Sequence, residues 1–287
     1  MAVGLVVGTS GATWSAERLA TVTYADANIV LIRQTILYRA AVGTELRDAD
    51  IVETPDGAAQ IEIAPGTIVG LAPRTRVLVR LDRGKPADCD VLVYSIGGII
   101  KLAQIAGVPN GNACLQASLL RGALAAGSAI LRFDGGVVSL FAEKGELAVQ
   151  ATGAAPSGGK STKVPSDQFA EWRAGQTLKI LARPTPEFLA ALPGSFEDAL
   201  MPMADRGRAS KPEPVAVRQV SYPDVADWLK AMSESQDFLQ QMLPRLRDPE
   251  FRRAFDAEHG QHSDSHRTAP PPATNDSVTP AELMPTP

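Results

Sequence analysis

Few residues in this 287-residue chain have the type and spacing that chemistry requires. Gly158-Gly159-Lys160-Ser161-Thr162 resembles the end of a phosphate-binding loop. The leading glycine would have to stand where Ala154 is, and Gly153 is one residue out of place. Lys163-Val164-Pro165 then breaks any following helix, so no helix N-terminus would face a phosphate, and the stretch reads as a surface loop. His259, His262 and His266 could offer imidazoles to a metal beside Asp264, but no thiolate accompanies them and nothing would orient the rings. They read as part of a solvated tail. No serine stands in a Gly-x-Ser-x-Gly elbow and no histidine precedes position 259, which excludes a Ser-His hydrolase in the folded part. The carboxylate pairs Asp48/Asp50 and Glu143/Glu146 lie beside turns, where such residues ordinarily solvate the surface. Cys89 and Cys114 have no neighbouring Cys or His, so a zinc knuckle is excluded by spacing. They are either a pair that an oxidising compartment could join or two buried free thiols. No catalytic, cofactor or metal-ligating residue is expected, and the chain does not read as an enzyme.

Binding surfaces are easier to place. Arg74, Arg76 and Arg80 form a basic set that could meet an anionic polymer such as cell-wall glycan, or guard a strand edge against aggregation. Trp228, Leu229, Phe238, Leu239, Met242 and Phe251 give the C-terminal region large apolar helical faces. Those faces either pack within the protein or dock a partner, with Trp228, Phe238 and Phe251 as anchors. A formal net charge of −4 argues against nucleic-acid binding through bulk positive charge. No uncharged apolar run approaches the ~20 residues that a membrane helix needs. With 45% apolar residues, the chain can bury a sizeable core.

The elements that must carry these residues are mainly strands. Ile29–Arg33, Ile36–Arg39, Ile51–Thr54, Thr67–Leu71 and Arg76–Leu81 are short apolar runs separated by Pro55-Asp56-Gly57, Pro65-Gly66 and Ala72-Pro73. Ala59, Ile61 and Ile63 alternate with Gln60 and Glu62, which places the first set inward and Gln60 and Glu62 in solvent. Val77, Val79 and Leu81 share one face, with Arg76 and Arg80 on the other. Further strands are expected at Val91–Tyr94, Gly98–Leu102, Ser128–Arg132, Val137–Phe141 and Leu147–Gln150, while Gln104–Gly127 reads as a long loop or a short helix. After Ala182, Thr185-Pro186-Glu187 opens a helix, and further helices are expected over Pro223–Met232, Glu234–Leu246 and from Asp248 to about Glu258.

The expected fold is therefore mainly β, a meander or a stacked β-ladder or sandwich of short strands, followed by a small α-helical C-terminal region. The boundaries are 1–21 for a weak or truncated export signal, 22–182 for the β domain, and 183–259 for the helical region with a linker at 206–220. A disordered tail fills 260–287. Ser10-Gly11-Ala12 fits signal-peptidase cleavage, but no basic residue precedes Arg18, so an ordinary apolar leader is the other reading.

Glu45–Val79 resembles the FecR domain family. Leu46, Asp50, Thr54, Gly57, Ile61, Ile63, Gly66, Val69, Leu71, Pro73 and Val77 occupy its pattern positions. Ala49 stands where that family usually has Gly, and Ala64-Pro65 where Asp usually precedes the Gly. The likeness extends more weakly from Val22 to Gln150. Asp167-Gln168-Phe169, Arg183-Pro184 with Phe188, Tyr222-Pro223-Asp224-Val225 with Trp228-Leu229, and Asp248 with Phe251-Arg252 resemble the C-terminal part of some bacterial FecR-domain proteins. The resemblance implies a periplasmic, Gram-negative envelope protein whose β domain makes protein contacts in signalling or scaffolding. Family members that control sigma factors carry a cytoplasmic helical region and a membrane helix, and the sequence here shows neither. The expectation is thus a recognition module with a protein partner, with a peptidoglycan-binding module as the alternative function and a cytoplasmic location as the alternative compartment.

Overall fold

The computed structural model describes residues 20–63, 66–81, 91–107, 112–117, 119–152, 161–203 and 211–264. Among them the strands in chain order are β1 (Ala20–Ala25), β2 (Ile29–Arg33), β3 (Ile36–Ala40), β4 (Glu45–Leu46), β5 (Ile51–Thr54), β6 (Ala59–Ile63), β7 (Thr67–Leu71), β8 (Thr75–Arg80), β9 (Val91–Gln104), β10 (Ala113–Ala117), β11 (Leu120–Leu124), β12 (Gly127–Asp134), β13 (Val137–Lys144), β14 (Leu147–Ala151), β15 (Thr162–Val164), β16 (Gln168–Arg173), β17 (Lys179–Leu181) and β18 (Val215–Gln219). The helices are α1 (Pro186–Ala190), a 3-10 turn at Gly194–Phe196, α2 (Tyr222–Ala231), α3 (Gln236–Leu246) and α4 (Pro249–Asp264).

The strands form two layers. One runs β4-β1-β6-β7-β9-β12-β13-β16-β17. The other runs β18-β3-β2-β5-β8-β9-β10-β11-β14-β15. All pairs are antiparallel except β9 with β10. The long strand β9 belongs to both layers, pairing with β8 and β10 through its first half and with β7 and β12 through its second. Its crossing point is Gly97-Gly98. Gly98 has φ +100, and a Cβ there would lie 2.4 Å from Thr75 Oγ1 and 2.5 Å from Thr75 Cα, so only glycine fits this bend. Between the layers lies one core. It draws Val22, Ile61, Val69, Leu102, Leu131 and Leu140 from the first layer, and Leu31, Val52, Val77, Val79, Val93, Leu115 and Leu147 from the second.

The polar positions of the stretch Glu45–Val79 serve this frame. Asp50 is buried; its carboxylate accepts from Arg33 Nε (3.0 Å), Arg33 Nη2 (2.7 Å) and Arg47 N (2.7 Å). Thr54 Oγ1 donates to Ala72 O (2.6 Å) and accepts from Thr75 N (3.1 Å), which fastens β5 to β8. Ala49, in the place where the family pattern has Gly, holds φ 63. That left-handed conformation strains any residue with a Cβ, so Ala49→Gly is expected to raise unfolding stability by about 1 kcal/mol. Chemical denaturation of the two chains measures the difference.

Both outer faces are covered by the chain's own later segments. A strap containing α1 and the 3-10 turn crosses the first layer, where Phe188 and Phe196 pack with Ala72, Ile130 and Phe169. Helices α2 to α4 cover the second layer, where Val225, Trp228, Leu229, Phe238, Met242 and Phe251 pack with Ile32, Ile51, Leu78 and Tyr94. Coverage on both sides explains why every residue of β7 is buried, a run that alternation alone would not produce.

Several sequence expectations change. Gln60 is buried rather than solvated, because the strap lies on it: its Nε2 donates to Met201 O (3.0 Å) and Thr23 Oγ1 (3.2 Å). Glu62 is half-buried and accepts from Met203 N. The stretch 104–127, expected as a loop or helix, contains β10 and β11, whose small residues suit a strand lying close to its neighbours. The supposed linker 206–220 contains β18, which pairs with β3. Helix α4 continues to Asp264, into the stretch read as a tail. The N-terminal segment 1–19, Gly158-Gly159-Lys160, Cys89, His266 and 265–287 lie outside the described residues. Among the described residues, no helix is long and apolar enough to cross a membrane.

Candidate functional site

Five of the six residues singled out from the sequence meet in one place, at the boundary between the second layer and its helices. Strand β8 is central, flanked by β5 and β9, so its arginines do not line a sheet edge. Val77 and Val79 point into the core. Arg76, Leu78 and Arg80 therefore face outward, under the helices.

Arg76 stands opposite Glu53 in the β5–β8 ladder and donates from Nε to Glu53 Oε1 (2.8 Å). Its Nη1 donates to Asp227 Oδ2 on α2 (2.6 Å), and the guanidinium lies 5.8 Å from the Trp228 ring centroid. Trp228 is fully buried and donates from Nε1 to the same Glu53 oxygen (3.1 Å). One carboxylate thus joins a strand arginine to a helix tryptophan. Tyr94 completes this end, its ring 6.5 Å from that of Trp228 and its hydroxyl donating to Ala231 O (3.3 Å). Further along, Arg80 is buried with its Nη2 3.4 Å from Asp237 Oδ2 on α3 and its Nη1 3.8 Å from Asp48 Oδ2. Phe238 is buried in the same apolar cluster. Phe251 packs edge-on to Tyr222 at 5.7 Å and lies 5.2 Å beneath the Arg245 guanidinium. Arg74 is apart from all of these. It is exposed at a turn with φ 58.

The start of α2 ties these helices to the edge strand β18. Asp224 Oδ2 accepts from Ser221 N (2.6 Å) and Ser221 Oγ (2.7 Å), which caps the helix. Arg218 grips the same carboxylate with both Nη1 (2.5 Å) and Nη2 (2.8 Å). The hydrogen bonds from Arg218 hold the Asp224 carboxyl down to about 2, from an ordinary 3.8. Nearby, burial first and the Glu258 carboxylate second push the Tyr222 phenol up to about 12. Because the folded value of Asp224 lies below its unfolded one, its contribution is complete above the ordinary value and fades as pH falls toward the depressed one. The thermal midpoint of the native chain should therefore exceed that of Asp224→Asn at about pH 5, and the gap should close by about pH 2. Melting curves of both chains across that range provide the check.

Chemically, this arrangement is a clasp. Its arginines are met by carboxylates of the same chain and its aromatics are enclosed: Arg80, Trp228, Phe238 and Phe251 are buried, and Arg76, a quarter of whose side chain is exposed, is held by Glu53 and Asp227. Among the described residues no group of three His, Cys, Asp or Glu side chains could hold a metal ion. Glu53, beside Arg76 on β5, and Asp227 and Asp237, on the helices above, escaped the sequence reading.

The opposite face has a second polar lock. Lys101, in the middle of β9, is buried, and its Nζ donates to Phe196 O (2.7 Å), Asp198 O (2.9 Å) and Glu143 Oε1 (2.9 Å). A lysine inside the run Ile99-Ile100-Lys101-Leu102 was the visible signal for it. The strap also crosses Gly70, where a Cβ would lie 3.1 Å from the Phe196 ring and 3.2 Å from Leu200.

Among the terminal strands of the two layers, β18 is the one in which every residue is exposed. Among the described residues it pairs only with β3, and all five of its residues are exposed, Val215 at 65% and Val217 at 51%. A bulge separates Ala216, opposite Tyr38, from Arg218, opposite Leu37. Cys114, on β10, is bonded in a disulfide.

No protein-family model matches this chain, and no curated protein matches it. Two crystal structures of a candidate anti-sigma factor from Parabacteroides distasonis are similar to it, each at 12% identity and a TM-score of 0.39. The matches cover 49% of this chain and 62% and 63% of those two chains, so the similarity spans less than two thirds of their length.

Proposed function

We propose that the protein is a non-enzymatic, FecR-like recognition module of the bacterial envelope, which binds a protein partner by adding a strand to an open sheet edge. The observation that carries this reading is β18: a strand that among the described residues pairs only with β3, and that exposes Val215 and Val217. Such an edge is a ready template for another strand, in which main-chain hydrogen bonds supply affinity and alternate side chains supply specificity. The Cys114 disulfide supports an oxidising compartment, and so the periplasm rather than the cytoplasm. The glycan reading drew on Arg74, Arg76 and Arg80; two of these are occupied beneath the helices, which leaves Arg74 without a basic surface around it.

Affinity capture from envelope extracts tests the reading. The native chain and Arg74→Glu should retain the same protein partner, and the double variant Val215→Lys/Val217→Lys should lose it. Equal capture by all three chains would place recognition away from β18.

A further inference from the structure

We infer that the outer face of the first layer is a peptide groove, which the chain's own strap fills and which can take in its place a partner segment of the same pattern. The site is separate from β18, which belongs to the other layer. The strap, residues 182–203, runs across the strands instead of along them. On the outer face, Gln60, Gly70, Lys101, Ile130, Phe141 and Phe169 stand opposite one another from β6 to β16 and form one row. The strap follows that row. Phe188 meets Phe169 with 5.0 Å between ring centroids, Phe196 and Leu200 lie against the bare backbone of Gly70, and Met201 reaches Gln60. A chain lying across the strands cannot join their ladders, whose bonds run between neighbours that lie side by side. Among the described residues, the backbone–backbone hydrogen bonds of the strap are local, as from Leu189 N to Thr185 O and from Phe196 N to Pro193 O.

Side chains of the sheet hold the strap's main chain instead. Lys101 Nζ donates to the Phe196 and Asp198 carbonyls, Gln60 Nε2 donates to the Met201 carbonyl, and Glu62 accepts from Met203 N. These groups read main chain, which any peptide offers. Selection comes from the notch at Gly70, which seats an aromatic residue and, four positions on, an aliphatic one. The two covers of the sandwich differ in kind. Helices α2 to α4 sit on an apolar face that includes Ile32, Ile51, Leu78 and Tyr94, and baring it is costly. The strap buries only Phe188 and Phe196 of its own residues, and Gln60, Glu62 and Lys101 beneath it are polar. Water can take over those polar groups when the strap lifts, and no ladder bond breaks. The tether keeps the strap at high effective concentration, so a partner segment enters only in competition with it.

Fluorescence anisotropy of a labelled synthetic peptide, residues 194–203 of this chain, tests the groove. The full chain carrying Phe196→Ala/Leu200→Ala has an emptied notch and should bind the peptide saturably. The native chain should bind it about a hundredfold more weakly, because the tethered strap competes. The peptide with alanine in both anchor places should not bind. Adding Lys101→Met to the double variant should weaken binding by about tenfold or more, as expected for a lost hydrogen bond to a charged group. In the native chain, hydrogen exchange should show the amides of the strap opening together, and sooner than those of β7 and β9. A folded double variant that leaves the peptide unbound overturns the groove, and so does binding that is equal in the native chain or indifferent to Lys101→Met. A double variant that unfolds, with or without Lys101→Met, overturns it too. So does a strap whose amides exchange only as slowly as those of β9, because the strap would then be part of the sandwich and not a releasable cover.

Discussion

Trp228→Ala is expected to destabilise the protein by about 3–5 kcal/mol, the range for removing a large buried aromatic. The ring is fully enclosed between α2 and the second layer, and its Nε1–H supplies one of the two hydrogen bonds on Glu53 Oε1. Truncation leaves a cavity beside Tyr94 and removes the surface over which the Arg76 guanidinium lies. Trp228→Phe separates the contributions. It keeps most of the ring volume but drops the N–H, so it should cost about 1–3 kcal/mol through the lost hydrogen bond to a charged group. Urea unfolding of both variants gives the two numbers. A loss below about 1 kcal/mol for Trp228→Ala would mean that the helices do not rest on β8 as described.

Lys101→Met should cost a comparable 3–5 kcal/mol, for a different reason. Methionine preserves the length and apolar bulk of the side chain, so little of the cost comes from a cavity. It comes from three acceptors left without their donor: the carbonyls of Phe196 and Asp198 and the Glu143 carboxylate. Replacing Glu143 by Leu in the same chain removes one orphaned charge and should recover part of the loss. The coupling between the two sites should fall between about 0.5 and 3 kcal/mol, as for residues in one network. Strictly additive losses would show that the ion pair is not formed in solution.

The sequence was most legible where turn residues bracket a short apolar run. Ile29–Arg33, Ile51–Thr54 and Thr67–Leu71 form as expected, and so does the inward set Val77 and Val79, because local alternation and turn chemistry decide them. It was least legible where a distant segment supplies the cover. Nothing near Gln60 in sequence shows that Met201 will lie over it, and nothing near Arg80 points to Asp237 on α3. The strand β18 was hidden for a related reason: Val215-Ala216-Val217 is short, exposed and bracketed by prolines and charges, so no periodicity marks it, and only the free edge of β3 makes it a strand. Of the candidate site, the residue types were visible and their destination was not. The arginines and the aromatics read as separate binding surfaces, yet each group supplies the other's partner, and together they hold the helices on the sheet.

If that clasp is permanent, recognition belongs to the edge and not to the helices. Photo-crosslinking in the living cell decides between the two, with a light-activated amino acid placed in turn at Val217 on β18, at Lys230 on the exposed side of α2 and at Arg74 on its turn. All three sites are exposed, so the probe leaves the fold intact in each. The account predicts a discrete protein adduct from position 217 and none from 230 or 74. Adducts that form from position 230 while 217 stays unreacted would contradict it, because the partner would then be met by the helical layer.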